Sequence, residues 1–162
     1  MAGKEDLDTK NTEEQSEEKP QVIFLSNDGS DDDPKIRKAM LYGDIDESSA
    51  KDIIATMILL ADTAEIQELS DPMDPESELT TLIRPFEIVL STGGGNADDM
   101  FAMYDMMRTI RESTEIHTVG LGKVMSAGVL MLAAGTKGKR YVGKNCRVMI
   151  HSVMGGNHGS LH

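Results

Sequence analysis

The chain has 162 residues, with 28 acids against 16 bases and a formal net charge of −12, a length that suits one domain. That balance excludes a general nucleic-acid binder, which needs clustered Lys and Arg to neutralise phosphates. The single cysteine, Cys146, excludes an intrachain disulfide, and no run of about 18 apolar residues exists to cross a bilayer.

In chain order, residues 1–20 are acidic and almost free of apolar side chains. They read as a disordered tail, with neither the apolar stretch of a secretory signal nor the arginines of a transit peptide. A soluble, cytoplasmic protein is expected. Residues 21–25 (QVIFL) read as a strand, 26–34 as a loop of turn formers, and 38–43 (KAMLYG) as a second strand ending at Gly43. Ser48 and Ser49 are candidate caps for a helix whose apolar positions are Ile53, Ile54, Met57, Leu60 and Ala61. Residues 65–85 carry three prolines and many acids and read as a long surface excursion.

The acidity is uneven: residues 41–90 hold 12 acids and 2 bases, whereas 91–162 hold 5 acids and 8 bases. In that second half, 87–91 (EIVLS) reads as a strand followed by Gly93, Gly94 and Gly95. A helix of about sixteen residues comes next, with an apolar face of Ala97, Met100, Phe101, Tyr104, Met107 and Ile110. Asp98 and Asp99 at its start, and Arg108 and Arg111 at its end, suit the helix dipole. Residues 116–120 read as a strand and 121–125 as a linker. Residues 126–134 (SAGVLMLAA) read as a short helix, apolar on every side and therefore buried. A basic turn at 137–140 and a strand fragment at 141–142 precede a strand at 147–151 (RVMIH) and a Gly-rich tail. Alternating strands and helices predict an α/β domain with a largely parallel sheet. Ligands of such sheets bind beyond the carboxyl ends of the strands.

Three strand ends carry chemistry. Gly93–Gly95 is either a tight turn or a backbone that approaches a ligand closely and offers its N–H groups to an anion. Ser126 opens a helix, where a serine commonly serves as N-cap; Gly122 and Gly128 leave the backbone around it thinly covered. The same helix N-terminus favours a developing oxyanion, with the Ala127 N–H as donor. His151 closes a strand, where it is either a satisfied structural residue or a base beside a nucleophile. Together the three supply donors, nucleophile and base for acyl transfer through a serine ester. His117, His158 and His162 lack partners at metal-ligand spacing, and Cys146 reads as a packed thiol.

From Ala39 onward the sequence resembles the ClpP family, the proteolytic subunit of ATP-dependent Clp proteases. AMLYGDID, IVLSTGGGN, MFAMYDMMRTI, VGLGKVMSAGVLMLAAGTKGKRY and CRVMIHSVMGG carry the likeness. Gly93 stands where that family usually has proline, and Met125-Ser126-Ala127-Gly128 where it has Ala-Ser-Met-Gly. The resemblance implies a ClpP/crotonase-like fold over residues 21–162. It implies Ser126 as nucleophile, His151 as general base, and the backbone of Gly95 (less so Gly94) and Ala127 as oxyanion donors. It also implies substrate paired as a strand beside Gly94 and Gly95. The function implied is a serine endopeptidase in stacked seven-membered rings, fed unfolded polypeptides by an AAA+ ATPase. ATP is used by that partner, so the subunit itself needs no cofactor or metal, nucleic acid or membrane. The family's triad Asp and its C-terminal handle helix lie beyond the residue that aligns with His162, so the sequence reads as a fragment or a split product. Three other readings stay open: a Ser–Lys hydrolase using Lys123, an inactive ring subunit or regulator lacking the Asp, and a crotonase-type acyl-CoA enzyme.

Overall fold

The computed structural model describes residues 37–152. The acidic tail, the strand expected at 21–25, the loop at 26–34 and the tail bearing His158 and His162 lie outside the described residues. Strand β1 (Lys38–Tyr42) alternates exposed and buried positions. Asp46 then starts helix α1 (Glu47–Asp62) with a capping box: its carboxylate accepts the Ser49 N–H while Ser49 Oγ accepts the Asp46 N–H. The expected serine cap is therefore corrected. Asp46 and Ser49 satisfy each other's backbone N–H groups reciprocally, so Ser49 serves from the third helical position instead. Ile53 and Met57 of α1 are fully buried, as their spacing predicts, with Ile54, Leu60 and Ala61 at the margin of the same core.

The 65–85 excursion is a β-hairpin rather than an irregular loop. Strands β2 (Glu65–Leu69) and β3 (Leu79–Ile83) pair antiparallel and join no other strand among the described residues. The chain then enters β4 (Phe86–Thr92), where Phe86, Ile88, Leu90 and Thr92 are buried and the residues between are half-buried. Helix α2 (Ala97–Ile110) is capped by Asn96, whose side chain accepts from the Asp98 and Asp99 N–H groups. It is fourteen residues long, and its buried face is Met100, Met103, Met107 and Ile110. Phe101, expected in that face, is 52% exposed; Met103 takes the core position. A flexible thioether fills an irregular gap more readily than a rigid ring does.

The presumed linker at 121–125 is strand. β5 (Ile116–Met125) runs ten residues, because its second half finds a new neighbour. Helix α3 (Ala127–Ala133) follows, then β6 (Arg140–Val142) and β7 (Arg147–Met149). β6 pairs with Thr118–Gly120 and β7 with Lys123–Met125, one after the other along the same edge of β5. The order β1-β4-β5-β6, with β7 also on β5, is parallel throughout, so the expected α/β class holds. α1 packs on α2 and α2 on α3, which places the three helices in one layer over one face of the sheet. Between the layers lie Met57, Ile88, Leu90, Met103, Met107, Ile116, Val124 and Met131, all fully buried. Each such side chain contributes about 1.5–3 kcal/mol over an exposed one. α3 is less enclosed than its composition predicts: Met131 and Leu132 are buried but Leu130 is 45% exposed. A seven-residue helix touching a sheet and one other helix has contacts on only part of its surface.

Candidate active site

Three strand ends meet at the carboxyl edge of the sheet. The first is β4. Its buried Thr92 accepts the Gly94 N–H on Oγ1 at 3.0 Å, which folds the glycine turn back on the strand. The Ile45 N–H donates to Gly94 O, and the Asn96 N–H to Ile45 O, both at 2.8 Å, so the turn is stitched to the segment after β1. A Cβ on Gly95 would lie 2.1 Å from Ile45 O. One on Gly94 would lie 2.7 Å from Ser126 Cβ and 3.2 Å from Ala127 N. Glycine at these positions is what lets the turn touch both neighbours; at Gly94 the backbone also sits at φ +100°.

The second is β5. While β4 advances from Leu90 to Thr92, β5 advances from Gly120 to Val124, a bulge that re-aims the end of the strand. Ser126 follows at φ 52°, ψ −123°, and among the described residues it is the only non-glycine with positive φ. Such a conformation costs on the order of 1–3 kcal/mol and persists only where surrounding contacts hold it. Its N–H donates to Met149 O at 2.9 Å. Its hydroxyl makes no capping bond to α3, so the ordinary N-cap role does not apply. Instead Ser126 Oγ lies 2.8 Å from Nε2 of His151.

The third is β7, which is shorter than expected. It ends at Met149, and His151 stands two residues beyond it, exposed. From that position its ring reaches Ser126. Among the described residues no carboxylate is hydrogen-bonded to His151.

Ala127 opens α3, and neither its N–H nor that of Gly95 donates to a protein acceptor among the described residues. Of Gly94 and Gly95, the Gly94 N–H is occupied by Thr92 and the Gly95 N–H is free among the described residues. Lys123 is exposed, with Nζ 3.8 Å from where a Gly93 Cβ would stand, and it makes no hydrogen bond to Ser126. His117 lies on β5, where Nε2 is 3.3 Å from Glu115 Oε2, away from the Ser–His pair. Cys146 is half-buried against the core. Among the described residues no group of three metal-ligating side chains occurs, and no helix is long and apolar enough to cross a membrane.

One supporting feature was not legible in the sequence. α3 has no basic residue in its own last turn, yet its final carbonyls are each met by a side chain. Thr118 Oγ1 donates to Leu132 O at 2.8 Å, Arg140 to Ala133 O at 3.0 Å, and Arg111 to Ala134 O at 2.8 Å. Arg111, which the sequence assigns to the dipole of its own helix, serves the neighbouring one. The helix that begins at Ser126 is thus held at its far end by β5, β6 and the end of α2.

A hydroxyl paired with an imidazole, next to two unpaired backbone N–H groups at a parallel-sheet edge, is the donor, nucleophile and base set of acyl transfer. Comparison with known proteins defines the lineage. A family model described as Clp protease matches residues 78–162. Over 119 residues the chain is 34% identical to ATP-dependent Clp protease proteolytic subunit 3 of Nocardia farcinica, covering 72% of this chain and 45% of that protein. It is 36% identical over 107 residues to proteolytic subunit 1 of Mycolicibacterium paratuberculosis (66% and 42% covered). To proteolytic subunit 2 of Corynebacterium jeikeium it is 34% identical over 118 residues (72% and 47% covered). The chain belongs to the Clp protease family. It spans a little under half the length of these relatives.

Proposed function

We propose that this chain carries the nucleophile and general base of a serine endopeptidase, Ser126 and His151. The observation that carries the reading is the 2.8 Å contact between Ser126 Oγ and His151 Nε2, made by a serine in a strained strand-to-helix turn. With its proton on Nδ1, the imidazole takes the Ser126 hydroxyl proton at Nε2 as Oγ bonds to the scissile carbonyl carbon. The oxyanion that forms is received by the Gly95 and Ala127 N–H groups. His151 then passes the proton to the leaving amine, and water hydrolyses the acyl-serine by the same route in reverse. Substrate lies extended along Gly94 and Gly95, pairing as a strand.

The relatives' names support a wider setting: a proteolytic subunit working with an ATP-consuming partner. In that setting the subunit assembles with like subunits in seven-membered rings in the cytoplasm. An AAA+ unfoldase feeds it unfolded protein, and the subunit needs no cofactor of its own. The alternative is an inactive ring subunit or regulator, in which Ser126 is not acylated. An orienting carboxylate is worth about four orders of magnitude in kcat in a well-studied triad.

A fluorophosphonate serine probe followed by intact-mass measurement separates the readings. One adduct on the wild-type chain, lost in Ser126→Ala and in His151→Ala but kept in Lys123→Ala, is the expected result. An adduct that survives His151→Ala and disappears in Lys123→Ala would establish the Ser–Lys mechanism instead. No adduct on the wild type would favour the non-enzymatic subunit.

A further inference from the structure

The β2–β3 hairpin plays no part in the site, and its surface is unusual. All five residues of β3 (Leu79, Thr80, Thr81, Leu82, Ile83) are exposed, Leu79 at 65% and Leu82 at 46%. Two-stranded sheets are marginal on their own in water. Natural proteins blunt an exposed edge with charge, proline or a bulge. β2 follows that rule through Glu65 and Glu68, whereas β3 has none of these devices. Its outer edge pairs with no strand among the described residues. Thr80, Thr81 and Ile83 are β-branched residues that suit a strand added alongside.

The turn at the far end, residues 70–78, carries Asp71, Asp74, Glu76 and Glu78, and no base occurs from Glu65 to Ile83. None of these four acids forms an ion pair among the described residues. The Asp71 and Asp74 carboxylates accept the Met73 and Glu76 N–H groups, which shapes the turn and leaves Glu76 and Glu78 facing solvent. The root is fixed by contrast: Arg37 donates to Pro85 O and Thr63 O, and Arg84 also to Thr63 O. The hairpin leads into the amino end of β4, while the Ser126–His151 pair lies past its carboxyl end. Seven residues of strand separate the two by roughly 20 Å.

From this we infer that β3 is a docking edge for an extended segment of another protein, which adds as a third strand and places Lys or Arg against the acidic turn. Main-chain hydrogen bonds supply affinity, and the charges of the turn fix which end of the segment lies where. Docking there leaves the Ser126–His151 edge open.

The test uses the full chain and two fluorescein-labelled probe peptides, Lys-Lys-Val-Thr-Val-Thr-Val and the same peptide with Glu-Glu in place of Lys-Lys. Saturable anisotropy is expected for the first and not the second, weakening as salt rises. Glu76→Lys with Glu78→Lys should weaken binding roughly tenfold or more. Leu79→Lys with Leu82→Lys, both at exposed positions, should do the same without changing the circular dichroism spectrum. Equal binding of both peptides, no saturable binding, or variants that bind as the wild type does would overturn the proposal. So would sedimentation showing a dimer that Leu79→Lys with Leu82→Lys dissolves, since the edge would then belong to a second copy.

Discussion

Replacing Ser126 by glycine and, separately, by alanine isolates the strain stored at the turn. Both variants lose the contact with His151, so their difference reports the backbone alone. At φ 52°, ψ −123° alanine keeps the strain, on the order of 1–3 kcal/mol, and glycine relieves it. Against this, glycine has more freedom in the unfolded chain than alanine, an opposing effect of about 0.4–1 kcal/mol. Ser126→Gly should therefore be more stable than Ser126→Ala by about 1 kcal/mol, the extremes being about 0 and 2.6 kcal/mol. For a domain of this size each kcal/mol moves Tm by roughly 3–6 °C, so a gap of about 3–6 °C is expected in paired thermal melts. Urea titration should give the same order with equal slopes. If the glycine variant melts below the alanine variant, the strain is smaller than the opposing freedom of the unfolded glycine chain, and the claim that surrounding contacts force Ser126 toward His151 fails.

Two further outcomes follow from the same geometry. Gly94→Ala puts a methyl group 2.7 Å from Ser126 Cβ and 2.9 Å from Met125 O, so the turn and the serine must separate. Fluorophosphonate labelling of Ser126 should fall about a hundredfold, as expected for a displacement near 1 Å; labelling within a fewfold of wild type would contradict the packing. Thr118→Val leaves Leu132 O buried without its donor and should cost about 1–3 kcal/mol in urea denaturation, while Thr118→Ser should restore most of it. A valine variant as stable as wild type would remove Thr118 from the clamp on α3.

Much of the layout was legible locally. The alternation in β4 and the spacing of Ile53 and Met57 follow from side-chain periodicity, which the chain itself displays. The chemistry-bearing residues were legible as types at strand ends. Their order along the chain, with Gly93–Gly95, Ser126 and His151 each after a strand, determines that a parallel sheet brings them to one edge.

What the tertiary structure alone decided depends on contacts distant in sequence. Strand continues through 121–125 because β7, some twenty residues later, pairs with it. The 65–85 hairpin is masked in the sequence by the acids and prolines that fill its turn and by the shortness of the LTTLI stretch, whose pairing partner lies ten residues or more away. The sequence leaves Ser126 open as cap or nucleophile; Met149 O of the neighbouring strand β7 takes its N–H, and His151, just past that strand, meets its hydroxyl. The choice between Gly94 and Gly95 likewise rests on Thr92, whose hydroxyl occupies one N–H and leaves the other free. Sequence thus determined which groups arrive at the edge. Packing decided how each is aimed, because orientation depends on hydrogen bonds and close approaches between segments that sequence does not place side by side.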